Sequence, residues 1–414
     1  MLSIAAQLQV LAITTTDERS ESLKADHLAM KDTFREKAIQ CLALARYTRG
    51  GPYILETLIT ILTGEFLLVK DGSTDGWLSI SMILHIAIRM GYHRDPDHFP
   101  SISPFEAEMR RRTWTAILQL DLTLSLETGL PRSATDTQID TKLPRNVLES
   151  DFDETTTSMP PSRPETEWSP ILPLITRGRL ITALGPICDI NTDIHPPTSA
   201  QISKADALLA DVHKNAIPPI FRWQPPSITD SPNVVLQRVS AETTYYKARI
   251  LLHRRALVNY QPTAVDAGDS MRICLDSALQ IISFQQMLHE ESLPPFGRLA
   301  TMGWKVTHIL NQDVLLATSV LCLFVQDGEK FELPPEKVAE VRVQLSASYE
   351  IWLQRSAASV EAGKVARALS VVLGLGVGEG IVGGSGESEF LADLDAMELF
   401  NDQSEYVICR ARCN

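Results

Sequence analysis

Aromatic residues are scarce in this chain, 6% of 414 positions. Uninterrupted apolar runs of membrane-spanning length are missing. Few aromatics beside frequent Leu, Ala and Ile argue against a β-sandwich and favour helices. The most apolar stretch, Tyr53 to Val69, is broken by Glu56 and Glu65. It is also shorter than the ~20 residues that cross a bilayer. Met1 to Ile13 lacks the Lys/Arg start and the small-residue cleavage site of a secretory signal, and no Asn-x-Ser/Thr sequon occurs. The expectation is a protein with no membrane contact.

Positive charge is also short. Lys and Arg number 38 against 51 Asp and Glu, a formal net charge of −13. A free-standing nucleic-acid binder needs a basic surface to displace counterions from phosphates, so this balance disfavours DNA affinity of the chain itself. The six cysteines, Cys41, Cys188, Cys274, Cys322, Cys409 and Cys413, form no CxxC pair. They read as free thiols rather than zinc ligands, although Cys409 and Cys413 are close enough in sequence to pair. No GxxxxGK[ST] loop, HExxH helix or GxSxG elbow is present. Gly374-Leu375-Gly376-Val377-Gly378-Glu379-Gly380 follows an expected helix, not a strand, and so is no dinucleotide loop.

What remains is amphipathic helix, in a chain long enough for one large helical domain or two or three smaller ones. A helix over 31–50 has Phe34, Ala38, Cys41, Leu42 and Ala45 on one face. Gly50-Gly51-Pro52 ends it. In 53–70, Leu55, Leu58, Ile59, Leu62, Phe66 and Val69 recur three or four apart, with Gly72 as a stop. A third helix starts at Asp75, carries Trp77, Ile80, Leu84, Ala87 and Ile88, and closes at Gly91 in the left-handed conformation. Tyr92 to Pro96 forms a turn. Ser103-Pro104-Phe105-Glu106 reads as a capping box opening a helix that runs to about Glu127.

Residues 149–170 mix Asp and Glu with four prolines and read as a loop or disordered linker. Residues 195–232 are again Pro-rich, with one helix near 199–214. Further helices are expected at 233–260, 268–288, 308–326 and 336–373. The first has a stripe of Val239, Thr243, Tyr246, Ile250, His253 and Leu257. From Gly374 to Gly386 seven of thirteen residues are glycine, a flexible stretch, with a short acidic helix at 388–399. The expected class is all-α, a large irregular multi-helix array with Pro-rich linkers and a Gly-rich C-terminal tail. Its divisions are an N-terminal segment 1–30, a first helical region 31–148, a linker 149–232, a second helical half 233–373 and a tail 374–414.

The most distinctive cluster is Glu108-Met109-Arg110-Arg111-Arg112-Thr113-Trp114. Three successive arginines on a helix point about 100° apart and cannot share one phosphate. Glu108 is at helical pairing distance from Arg111 or Arg112. Trp114 suits burial or cation stacking. The bland reading is a salt-bridged framework helix; the sharper one is a partner or effector-anion site. Asp121, amid leucines, needs an Arg or hydrogen-bond donors if buried. His93 with Arg94 and Asp95 is read as capping or ion pairing before acid–base chemistry. His253 with Lys247, Arg249, Arg254 and Arg255 reads as a solvated face, an import patch or an interaction surface.

Taken in order, Ile88 to Pro96, Phe105-Glu106 through Trp114, Asp121, Gly129-Leu130-Pro131, and Asp140 with Leu143-Pro144-Arg145-Asn146 resemble the middle homology region of fungal binuclear zinc-cluster transcription factors. Tyr245-Tyr246-Lys247 into Ile250-Leu251-Leu252-His253-Arg254, the stretch from His308 to Cys322, and Ile351-Trp352-Leu353 are similar to that family's C-terminal helices. The likeness covers roughly residues 30–370. Two departures stand out: Leu130 where the family more often has Arg, and no six-cysteine zinc cluster with its basic linker. The resemblance implies a nuclear regulator of RNA polymerase II transcription with no catalytic residues and no cofactor. Implied partners are the transcription machinery, another zinc-cluster factor, a small-molecule effector or a second copy as a dimer, with DNA reached only through the missing module or a partner. The other classes weighed are a small-molecule-binding or enzymatic all-α protein of secondary metabolism, and an interaction scaffold. A convergent polar set in one enclosed pocket, with perturbed acids, would mark small-molecule binding or enzymatic chemistry.

Overall fold

The computed structural model describes residues 1–12, 18–68, 75–258, 260, 267–293, 297–357 and 359–375. Among these there are thirteen α-helices and no strand, so the all-α class holds. Val69, Gly72, Cys409, Cys413, the glycine-rich loop from Gly376 and the acidic helix expected at 388–399 lie outside the described residues. The side chains of Phe66 and His308 do as well. The chain divides into two compact units. The first comprises Met1–Leu126, Arg132–Gly185 and Ala216–Ile220; the second comprises Glu127–Pro131, Pro186–Asn215 and the chain from Phe221 onward.

The first unit opens with α1 (Leu2–Ala12) and α2 (Glu18–Leu44). Two side-chain bonds hold α1 in place: Ser3 Oγ donates to Lys31 O at 3.0 Å, and Gln7 Nε2 donates to Gly64 O at 2.8 Å. The helix expected over 31–50 therefore begins at Glu18, within a segment whose alternating charge hid the start. It stops at Leu44, and a 3-10 turn follows at Tyr47–Arg49. Next come α3 (Ile54–Leu68), α4 (Asp75–Arg89), α5 (Pro104–Thr128) and α6 (Leu172–Thr192). Leu55, Leu58 and Leu62 of α3, Ile80, Ile83, Leu84 and Ala87 of α4, and Trp114 and Ile117 of α5 form one buried cluster. The apolar stripes of the three helices meet there, which is what the spacing requires.

The helix ends follow local chemistry. Gly91, φ +79, closes α4; Tyr92 N–H donates to Ala87 O at 3.0 Å and Gly91 N–H to Ile88 O at 2.9 Å, the paired bonds of a Schellman stop. Ser103 and Glu106 cap α5 reciprocally, side chain to backbone in both directions. The α6 helix was not legible in sequence, because Gly178, Gly185 and Pro186 fall inside it. Gly178 has a packing reason. A Cβ there would lie 2.5 Å from Leu143 Cδ2 and 3.0 Å from Thr115 Cγ2.

In the second unit, α7 (Ser199–Asp211), α8 (Pro232–His253), α9 (Arg255–Val258), α10 (Ala267–Ser292), α11 (Gly303–Gln326), α12 (Pro335–Arg355) and α13 (Val360–Leu373) build a separate core. Leu236, Val239 and Ile250 of α8 pack with Ala278 and Ile281 of α10, Phe324 of α11, Trp352 of α12 and Leu369 of α13. The single helix expected over 336–373 is two, because Ser359 leaves the helical conformation and caps α13 through Ala362 N–H at 3.1 Å.

Candidate functional site

The singled-out residues converge on α5 and the turn that leaves α4. Asp95 caps the 3-10 turn Pro96–His98 and accepts from Asp97 N–H at 3.0 Å. Arg111 reaches this carboxylate with two nitrogens, Nε to Oδ2 at 3.1 Å and Nη2 to Oδ1 at 2.7 Å, and also meets Asp97 Oδ1 at 2.8 Å. Lys142 N–H adds a fourth donor to Asp95 at 2.8 Å. Only 2% of Asp95 is exposed. Burial alone would push its carboxyl up, but the Arg111 guanidinium and the two backbone N–H groups outweigh that and hold it well below its ordinary value. The bond to Asp95 in turn raises Arg111.

The other two arginines face elsewhere, as a 100° step demands. Arg110 stacks over the Tyr92 ring at 4.7 Å. Arg112 pairs with Glu108 at 3.0 Å, donates to Val147 O at 3.2 Å and lies 5.0 Å from the Phe152 ring centre. Glu108 is fully buried and also accepts from Arg145 N–H at 3.2 Å. The partner of Glu108 is thus Arg112; Arg111 belongs to Asp95. Trp114, 1% exposed, packs in the first core and stacks on none of these arginines.

Arg94 and His98 both bind Asp140, at 3.0 and 2.9 Å, and Asp140 accepts Asp95 N–H at 2.7 Å. His93 contributes its backbone carbonyl to Asp140 N–H at 3.1 Å, while its ring Nδ1 has no hydrogen-bond partner. Asp121, 2% exposed, accepts from the N–H groups of Ser133 at 3.0 Å and Ala134 at 3.4 Å. Burial raises its pKa, and these donors only moderate the rise. Its compensation comes first from the Ser133 hydroxyl, then from the backbone N–H groups of Ser133 and Ala134, with the Arg132 charge adding a smaller part.

The acidic, proline-rich stretch after 148, expected as a loop or a disordered linker, is an irregular loop that is tied down. Asp151 and Arg163 form a two-pronged pair at 2.9 and 2.7 Å. Asn146 Nδ2 donates to Arg163 O at 3.0 Å. Glu165 is gripped by Arg179 of α6 at 2.8 and 2.5 Å. Hydrogen bonding replaces hydrophobic burial as the ordering force, which a composition argument cannot register.

The basic run around His253 is not the exposed patch the sequence implied. His253 is 6% exposed, with Nδ1 3.0 Å from Ser270 Oγ and Nε2 3.8 Å from Asp206. Lys247 is paired to Asp313 at 2.7 Å, and Arg255 donates to Asn191 O at 2.7 Å. Sequence reasoning named Tyr92 and Asp140 but not their contacts with Arg110, Arg94 and His98, and missed the Lys247–Asp313 pairing, all long-range. Asp95 alone had a local signal, its place before Pro96 in a capping turn. Among the described residues no group of three or more His, Cys, Asp or Glu could hold a metal ion, and no helix is long and apolar enough to cross a membrane.

An α-helical array whose charged residues interlock around one central helix defines a class that residues 13–218 make explicit: they match the fungal specific transcription factor domain. The chain belongs to that family, as the middle region of fungal zinc-cluster transcription factors. It is 42% identical over 359 residues to the equisetin cluster transcription factor of Fusarium heterosporum, covering 85% of this chain and 51% of that protein. It is 37% identical over 396 residues to the pyrrolocin cluster transcription factor of a fungal species, strain NRRL 50135, covering 90% and 51%. It is 38% identical over 341 residues to a Zn(2)-C6 fungal-type transcription factor of Monascus ruber, covering 80% and 41%. The chain spans about half the length of these curated relatives. No solved structure matches it.

Proposed function

We propose that these 414 residues are the regulatory region of a nuclear factor that controls RNA polymerase II transcription of a secondary-metabolite gene cluster. The observation that carries this reading is the likeness, over 85 to 90% of the chain, to proteins named as cluster transcription factors. The region performs no chemistry in this reading. Its perturbed acids, Asp95 in the turn after α4 and Asp121 on α5, already have protein donors. DNA is read by a zinc-cluster segment outside these residues or by a partner factor, because the net charge of −13 opposes direct phosphate binding. Its partners are the transcription machinery, another zinc-cluster factor or a second copy, with a small molecule as effector.

Deleting the gene should silence one set of neighbouring biosynthetic genes, read as transcript levels, and re-expression should restore them. Transcripts that stay unchanged would refute the reading. In a gel-shift assay the purified chain should retain no duplex in preference to a scrambled one; a sequence-specific shift would contradict the assignment of DNA contact to another segment.

A further inference from the structure

Helices α2, α3 and α4 of the first unit leave an apolar cleft between them, with a volume of about 210 Å³. Leu42 of α2, Leu58 and Leu62 of α3 and Ile83 of α4 form its floor and are buried. Its walls do not close over it. Ile39 of α2 is 41% exposed and Met82 of α4 is 40% exposed, so apolar surface faces water along the cleft. The volume is below the ~300 Å³ at which small-molecule pockets begin. It suits one row of side chains, as when an amphipathic helix lies along a hydrophobic groove.

The two ends of the cleft differ in charge. At one end Arg35 of α2 and Glu65 of α3 form an ion pair. Tyr47 marks the other end, where its hydroxyl lies 4.0 Å from Met82 Sδ. Arg46 precedes Tyr47 and Arg49 ends the same 3-10 turn; both are exposed, and neither guanidinium has an ion pair among the described residues. Arg89 of α4 joins them: it donates to Thr48 O at 2.6 Å and meets no carboxylate among the described residues. Three arginines without acids thus gather at one mouth of an apolar cleft, in a chain whose net charge is −13. A second copy is a poor occupant, because two chains of that charge repel one another.

We propose that this cleft is the docking groove for an acidic amphipathic helix of a partner protein. The apolar face of that helix enters between Ile39 and Met82, and carboxylates in its last turn meet Arg46, Arg49 and Arg89. The negative end of its dipole then points at the arginines as well, and its positive end lies by Glu65, which fixes the direction of docking. The inference rests on the reading of this region as one that works through partners, and it names where one of them binds and by what chemistry.

The test uses the purified 414-residue chain and a labelled helical peptide with leucines spaced i, i+4 and i+7 and glutamates in its last turn, read by fluorescence anisotropy. The control peptide has lysines in place of the glutamates. The glutamate peptide should bind saturably, one per chain, and the lysine peptide about tenfold more weakly, since it sets like charges together. Arg46→Glu and Arg49→Glu combined should weaken the glutamate peptide about fivefold, the scale of two exposed ion pairs, and strengthen the lysine peptide. Ile39→Asp should fold, because that side chain stands at the surface, and should weaken both peptides at least about tenfold. Absent saturable binding, equal affinity for the two peptides, an unchanged preference in the charge-reversed variant, or unchanged binding in Ile39→Asp would each overturn the proposal. If Ile39→Asp fails to fold, Met82→Glu carries the same test. Two further outcomes overturn it by giving the cleft to another occupant. Self-association that Ile39→Asp abolishes assigns it to a second copy, and peptide binding seen only after Leu394→Asp assigns it to this chain's own acidic stretch. None of these depends on the transcript measurement, so the groove can fail while the regulatory reading stands.

Discussion

Replacing Arg111 with Ala should destabilise the first unit more than any other single charge removal on α5. Arg111 and Asp95 are 9% and 3% exposed along their side chains. Truncating one partner of a buried pair leaves the other charge uncompensated and typically costs 3–5 kcal/mol. Asp95 keeps the N–H groups of Asp97 and Lys142, which places the expected loss near the lower end, about 3 kcal/mol. The Asp97 contact adds little, because Asp97 is 58% exposed. For a unit of this size that loss corresponds to a melting shift on the order of 10 °C. Thermal denaturation followed by helical ellipticity measures it. The acid limb should change as well. In the fold Asp95 titrates below its ordinary value, so its contribution is present above about pH 4 and disappears as pH falls further. In Arg111→Ala that limb should flatten. Pairing Arg111→Met with Asp95→Asn removes both charges and should cost less than Arg111→Ala alone. A loss under about 1 kcal/mol for Arg111→Ala, the figure for an exposed pair, would refute the argument.

Trp114→Ala empties the largest side chain from the first core and should cost about 3–5 kcal/mol, read by denaturant unfolding. Gly178→Ala gains about 1 kcal/mol of helix propensity but drives a Cβ to 2.5 Å from Leu143 Cδ2. Leu143 is exposed and its side chain can turn away, so the overpacking cost is at the low end, about 1 kcal/mol, and offsets the gain: a net change under about 1 kcal/mol is expected, and Leu143→Ala in the same chain should turn it into a gain. Gly91→Ala must hold φ at +79 without the glycine and should lose about 1 kcal/mol with no steric clash behind it. Glu127, raised by burial, ionises in the unfolded chain before the folded one. Stability should therefore fall as pH climbs above 4.5 toward its folded pKa, and Glu127→Gln should remove that slope.

Helices with a clean period and punctuated ends were legible in the sequence. For α4 and α5, the stripe, the Gly91 stop and the Ser103–Glu106 box all describe short-range chemistry that twenty residues fully contain. The start of α2 was hidden by its mixed charges, and the existence of α6 by Gly178, Gly185 and Pro186 inside it. The arginine triplet was recognisable as a framework, and the divergence of its three side chains followed from helix geometry alone. Which acid each arginine takes was not, since Asp95 lies sixteen residues away and is brought in by a turn. The basic run on α8 was misread for the same reason. Its neutralising partners, Asp206 and Asp313, are distant in the chain, and only their arrival turns an apparent surface into an interior.

Helix α5 is also the mould on which a strand-free, nearly helix-free stretch sets. Asp121 fixes 133–134, Arg111 through Asp95 fixes 142, and Glu108 and Arg112 fix 145 and 147. From Asp121 through Arg111 to Glu108 the anchor points run backward along the helix as they run forward along the loop, and Arg112 adds one more at 147. Such a segment can assume its path only once the helix exists, and it has no shape to carry elsewhere. A change at any one rung should therefore surface as hydrogen exchange in a contiguous patch of the loop twelve to forty residues downstream, while the mutated helix itself stays protected.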